Sequence, residues 1–122
     1  MTVVLVTVAG AVGALLRYEV ELTVRRRRGA HLPLGILLIN VSGAFVLGVL
    51  AGMAEHHGVP TSVVTVAGTG LIGAYTTFST FSFDTVSLVE HDRLRAAVAN
   101  VAVSLVLGLG AAAAGLLVGH AL

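Results

Sequence analysis

Residues 68–81 read "GTGLIGAYTTFSTF". Gly68, Gly70 and Gly73 come just before a run of hydroxyls and rings, and three of the four phenylalanines of the chain lie between Phe78 and Phe83. The segment lies inside a long apolar stretch, so glycine weakens the helix where polar groups are densest. Two conformations follow. A discontinuous helix exposes backbone carbonyls and amides of the kind that hold ions in membranes. A long, tilted, unbroken helix instead lets each hydroxyl bond back to a carbonyl one turn earlier.

The surrounding chain says which solvent this segment meets. Of 122 residues, 57% are hydrophobic and 11% charged, and the mean hydropathy of +1.00 lies far outside soluble norms. The spacing predicts an all-α integral membrane protein, a single transmembrane domain over residues 1–122. A bilayer core of about 30 Å needs about 20 apolar residues in a helix, and charge divides the chain into four such stretches at about 2–24, 33–54, 61–89 and 94–119. The Arg25–Arg28 run ends the first, and "EHHGVP" follows the second. Period-two alternation is missing, which favours helices over a barrel. The first run lacks a basic leader and a cleavage site followed by a polar domain, so it reads as a retained span. Without cysteine there is no disulfide, thiolate nucleophile or thiolate metal site.

Most of the fifteen glycines fall inside these spans. Gly48-x-x-x-Gly52 and Gly115-x-x-x-Gly119 offer small faces on which helix backbones approach closely, and carry no chemistry. The basic residues are all arginines. Arg25, Arg26, Arg27, Arg28, Arg93 and Arg95 fall in the loops after the first and third spans, six against none in the termini and the middle loop. The positive-inside rule then turns both termini outward. Beside a membrane span the arginine run reads as a topology signal or an anionic-lipid contact, not as a nucleic-acid site.

Polar side chains in a span usually face a bundle interior or a pathway. Arg17 either snorkels or pairs with Glu21, or else raises the potential at the mouth of an anion path. Asn40 is interhelical glue or turns its two donors toward an anion. Asn100 and Ser104 share one face of the last helix, as a polar stripe or a helix contact. Phe78 and Phe81 share a face too, either as core packing or with their electropositive ring edges toward an anion. Ser79 and Thr80 add neutral donors, while Asp84 is the one acid that could lie deep. Donors without central carboxylates favour an anion over a cation or a proton-coupled substrate. His31, His56, His57, His91 and His120 lie in loops or at the terminus without metal-ligand spacing and read as interfacial polar residues, so nothing supports an enzyme.

Four stretches together resemble the small bacterial fluoride channels of the Fluc or CrcB family: "AGAVGALLRY", "PLGILLINVSGAFVLG", "GTGLIGAYTTFSTF" and the Asn100/Ser104 face. The resemblance implies a four-helix subunit with a broken third helix, paired antiparallel with a second subunit to give two narrow pores. It implies that Phe78 and Phe81 line the pores with ring edges, that Asn40 lies at the vestibule end near Arg17, and that Ser79, Thr80 and Ser104 belong to a polar track. It further implies a structural sodium ion at the dimer interface, held by the backbone carbonyls of Gly73 and Thr76 and not transported. Ile36 and Ala74 depart from the family's common threonine and glycine. The implied function is passive fluoride export across the bacterial plasma membrane. Fluoride enters as the neutral acid and is trapped as the ion, so a passive path suffices to limit its toxicity.

Antiparallel homodimers need balanced arginines, and this chain is biased six to none. The partner is therefore either a second copy or a paralogue of opposite orientation. The alternative function is a proton-coupled exporter of the small multidrug type, which has the same length and helix count. That class uses a glutamate within the first helix, whereas residues 1–16 here contain no acid. A third reading is a scaffold subunit without a pathway.

Overall fold

In a bilayer every backbone amide and carbonyl must find an internal partner, and this chain meets that demand mainly with helices over its described residues. The structure is a computed structural model and describes residues 1–29 and 33–122; His31 lies outside the described residues. Helix α1 is Thr2–Arg28, α2 is Leu34–His57, α3 is Thr61–Val64, α4 is Gly73–Tyr75, α5 is Ser79–Glu90 and α6 is Leu94–Ala121. Between α3 and α4 the chain stays helical but widens to a π-helix over Thr65–Ile72.

Three helices, α1, α2 and α6, are long and apolar enough to cross a membrane among the described residues. The third pass, expected as one stretch over 61–89, is divided between α3 and α5, so no piece of it reaches that length. The long helices also outrun the hydrophobic stretches that marked them. The expectation that the Arg25–Arg28 run ends the first helix is corrected: α1 takes in all four arginines, which are good helix formers and interact favourably with the negative end of the helix dipole. Helix α2 continues through His57 until Gly58 adopts the left-handed conformation (φ 62°, ψ 36°), which glycine enters at little cost. The α5–α6 turn is made by Asp92 at φ 56°, a conformation aspartate tolerates better than most residues.

Glycine decides how the passes pack. A Cβ built on Gly48 would land on the Ala112 carbonyl, and one on Gly52 on the Leu116 carbonyl. Conversely, Gly115 abuts the Phe45 carbonyl and Gly119 that of Val49. Both small-xxx-small faces thus meet each other, and the residue numbers rise together, so α2 and α6 run parallel at backbone contact. Gly13 approaches the Leu71 carbonyl, and a Cβ added to Gly70 would lie 2.9 Å from the Val6 carbonyl oxygen, so α1 runs parallel to the first half of the third pass. Alternate passes therefore share a direction. Residues 25–29 and 90–95 gather at one end, and residues 1–2, 55–62 and 120–122 at the other.

The chain buries little. Ile39 is wholly enclosed, with Ile36, Ile72, Leu88 and Ala97 nearly so. Val3, Leu5, Val8, Leu105, Val106 and Leu109 are exposed, as expected where the surrounding medium is itself apolar. Ile36 belongs to this core.

Candidate functional site

The 68–81 segment leaves helical geometry at Thr76, whose backbone is extended at φ −79°, ψ 161°. It turns back at Phe78 (φ −92°, ψ −36°) and resumes as α5. Amides and carbonyls released there need other partners, and the sequence supplies them from side chains. Asn40 of α2 donates from Nδ2 to the Thr77 carbonyl at 2.8 Å and accepts the Thr77 amide on Oδ1 at 2.9 Å. One amide side chain therefore replaces two backbone partners. Its second Nδ2 hydrogen has no hydrogen-bond acceptor among the described residues.

Thr77, at 9% exposure, joins the two halves of the pass. Its Oγ1 accepts the Thr80 amide at 3.3 Å, and lies 3.1 Å from Thr80 Oγ1 and 3.3 Å from Ser79 Oγ. The first turn of α5 is thus capped by a hydroxyl, and three neutral donors are linked. Thr76 Oγ1 and amide both return to the Ile72 carbonyl, at 3.0 and 2.9 Å. Tyr75 Oη meets Ser42 Oγ at 2.9 Å, a second tie from α2 to the same bend.

These bonds leave two carbonyls without the donors a continuous helix would give them. The amide four residues beyond Gly73 is that of Thr77, which goes to Asn40; the amide four beyond Thr76 is that of Thr80, which goes to the Thr77 hydroxyl. Gly73 and Thr76 both line an open groove of about 440 Å³ with Asn40 and Phe78. Neutral carbonyl oxygens are ligands of the type that hard cations take. Arg17 donates from Nη1 to the Thr76 carbonyl at 3.4 Å, while Glu21 pairs with Arg25 at 3.3 Å. The expected alternative of an Arg17–Glu21 pair is thereby corrected: Arg17 reaches into the bundle.

Phe78 and Phe81 lie with ring centroids 5.8 Å apart and planes tilted by 40°. Phe78 is 79% exposed, so it is not core packing within the chain. Of the residues singled out in the sequence, Asn40, Gly73, Thr76, Phe78, Ser79, Thr80 and Phe81 gather around the bend, with Arg17 at its edge. Ser104 does not: it is half-buried in α6 and makes no hydrogen bond among the described residues. Asn100 donates to Thr85 Oγ1 at 2.9 Å, and Thr85 to the Phe81 carbonyl at 2.7 Å, so the Asn100 face is a helix contact that supports Phe81. Asp84 lines a cavity with Glu21, Arg25, His91 and Arg93 at the arginine-rich end, away from the bend. Thr77 and Tyr75 were not singled out. A threonine just before a helix restart is a residue type that caps helix starts, which points to Thr77; the Tyr75–Ser42 pair has no local signature.

The family profile described as "CrcB-like protein, Camphor Resistance (CrcB)" matches residues 4–116. The chain belongs to this CrcB-like family. A protein of Mycobacterium bovis named "Fluoride-specific ion channel FluC 2" is 44% identical over 110 residues, 90% of this chain and 84% of its own length. One of the same name from Mycolicibacterium paratuberculosis is 48% identical over 108 residues, 88% and 84% of the two chains. "Fluoride-specific ion channel FluC" of Rhizobium meliloti is 39% identical over 115 residues, 93% and 92%. The CrcB-like match takes in α1, α2, the bend and most of α6, so every residue around the bend lies within it.

Proposed function

We propose that this chain is one subunit of a fluoride-selective channel of the bacterial plasma membrane, giving passive export that lowers cytoplasmic fluoride. The observation that carries this reading is the bend at residues 76–78, where Asn40, Thr77, Ser79 and Thr80 concentrate neutral donors beside the exposed Phe78 and the half-buried Phe81. It is supported by membership of a family whose relatives are named fluoride-specific channels. Fluoride is small, strongly hydrated and a strong acceptor. A path that replaces its water needs converging N–H and O–H donors and positive ring edges, without a fixed cation deep enough to trap it.

Phe78, open on the subunit's surface, is one wall of a path that a second subunit closes. In the proposed assembly two subunits pair antiparallel and form two pores, each lined by Phe78, Phe81, Asn40, Ser79, Thr80 and Ser104, with Arg17 at the vestibule. The third pass is then a functionally broken helix. The Gly73 and Thr76 carbonyls, with the same two from the second subunit, would hold a structural sodium ion. That ion would cross-link the two bends; Asn40 and Thr77 would keep the carbonyls turned out of the helical ladder.

The arginine-rich end lies in the cytoplasm and both termini outside, on the six-to-none count. A subunit so biased pairs with a paralogue of opposite orientation rather than with its own copy. A reporter fused to the C-terminus is expected outside the cell, and a cytoplasmic signal in most molecules overturns the orientation. Fluoride-electrode efflux from proteoliposomes, with chloride as competitor, tests the function. Fluoride release that chloride does not slow is expected, greater with the paralogue than with the chain alone; release of both halides alike, or none with either preparation, rejects the reading.

A further inference from the structure

Helix α5 carries Phe81 and is the short piece of the third pass. It has 12 residues, a length at which a helix depends on its neighbours for stability. Its start is set by the bend. Its end turns through Asp92 into α6, where the Asp92 and Arg93 amides donate to the Val89 and Leu88 carbonyls at 3.1 and 2.8 Å. Between those ends a side-chain relay ties it to α6. Asn100 donates from Nδ2 to Thr85 Oγ1 at 2.9 Å, and Thr85 Oγ1 donates to the Phe81 carbonyl at 2.7 Å. The Thr85 hydrogen is spent on a carbonyl, which only accepts, so lone pairs alone are left for Asn100 and its amide nitrogen must face the threonine. Phe81, Thr85 and Asn100 are all half-buried.

The relay also fixes a register. Helices α5 and α6 run antiparallel about the Asp92 turn, with Thr85 and Asn100 at the same level. One turn further from Asp92 lie Phe81 on the Thr85 face of α5 and Ser104 on the Asn100 face of α6. The pair therefore sets Phe81 level with Ser104. We propose that Thr85 and Asn100 are positioning residues, which fix how far the Phe81 ring stands from the Ser104 face and thereby the size of anion that passes. This inference rests on the channel reading above and adds two residues to it. A wall selects small from large halides only while it cannot rock outward, and a short helix restarted after a bend needs such a tether. Threonine often bonds back to a carbonyl one turn earlier, as Thr7 does to Val3 at 2.9 Å. Thr85 differs because its oxygen also accepts from another helix, and because the carbonyl it holds belongs to the ring-bearing residue.

Two readouts test this on variants that keep the wild-type elution on size-exclusion chromatography. The first is fluorine NMR of the full chain in detergent micelles, with 4-fluorophenylalanine in place of Phe81. The second is the fluoride-to-chloride flux ratio of proteoliposomes holding the chain with its oppositely oriented paralogue. Asn100→Ala and Thr85→Val should each shift or broaden the resonance, and should lower the flux ratio by at least about threefold, the scale of one hydrogen bond. The double variant should lose no more than the larger single loss, because the two residues act through one relay. Thr85→Ser, which keeps the hydroxyl, should match the wild type in both readouts. Thr7→Val, which removes the same kind of back-bond from α1, should change neither. A resonance or a flux ratio unchanged in both Asn100→Ala and Thr85→Val, a Thr85→Ser as altered as Thr85→Val, or an equal change in Thr7→Val overturns the proposal. A wild type that passes neither halide rejects the channel reading instead, and the fluorine resonance then decides by itself whether the relay positions Phe81.

Discussion

Two glycine-rich regions of this chain behave in opposite ways. Along α2 and α6, glycines at 48, 52, 115 and 119 let two unbroken helices lie backbone against backbone. Across 65–78, glycines at 68, 70 and 73 accompany a π-helical widening and then a departure from the helix. Glycine alone does not distinguish them. Valine, leucine and alanine surround the first set and offer the backbone no alternative partner, so in lipid it must keep its helical bonds. Threonine and serine follow the second, and Asn40 faces it, so the Thr77 and Thr80 amides given up at the bend each have a side-chain acceptor waiting. A membrane helix opens where polar side chains can take over its ladder.

The largest test of this contrast is steric. Gly115→Val drives a branched side chain into the Phe45 carbonyl and should abolish recovery of monodisperse protein, whereas Gly108→Val, with open space at its Cβ position, should leave yield and elution unchanged on size-exclusion chromatography. Next comes the clamp. Asn40→Ala strips partners from both the Thr77 amide and carbonyl, each costing about 1–3 kcal/mol when left buried, and should lower thermal stability and reduce fluoride flux by at least about tenfold. Thr77→Val keeps the volume but removes the hydroxyl cap, a loss of about 1 kcal/mol read as a lower melting temperature, with flux reduced less than in Asn40→Ala. Tyr75→Phe removes one bond to Ser42 and should cost only about 0.6 kcal/mol, with flux near that of the wild type. A Tyr75→Phe effect as large as that of Asn40→Ala would mean that the whole α2 face, not the Asn40 amide, holds the bend.

Much of this was legible in the sequence because it is local. Apolar length marks the helices, small-xxx-small spacing marks the α2 and α6 faces, and glycines before hydroxyls mark residues 73–78 as the weak point of the third pass. What could not be read depends on how helices register against one another. Arg17 and Thr76 are 59 residues apart, Asn40 and Thr77 are 37, and Glu55 and His120 are 65. Periodicity gives a residue its face on a helix but not the neighbour that face meets. For that reason Asn40 could be read as facing an anion or another helix, while the structure commits one of its donors to Thr77. The histidines, scattered in sequence, likewise become neighbours only because α2 and α6 end together.

Phe81 offers the most direct test, because its ring joins the bend to the proposed path without carrying a hydrogen bond that holds the fold. Fluoride efflux should be measured from liposomes containing equal amounts of wild-type and Phe81→Ile protein, each co-purified with the oppositely oriented paralogue and checked for an intact dimer by size-exclusion chromatography. Loss of flux with the dimer preserved is the predicted result. Unchanged fluoride efflux through Phe81→Ile would contradict the claim that the bend forms the wall of the pore.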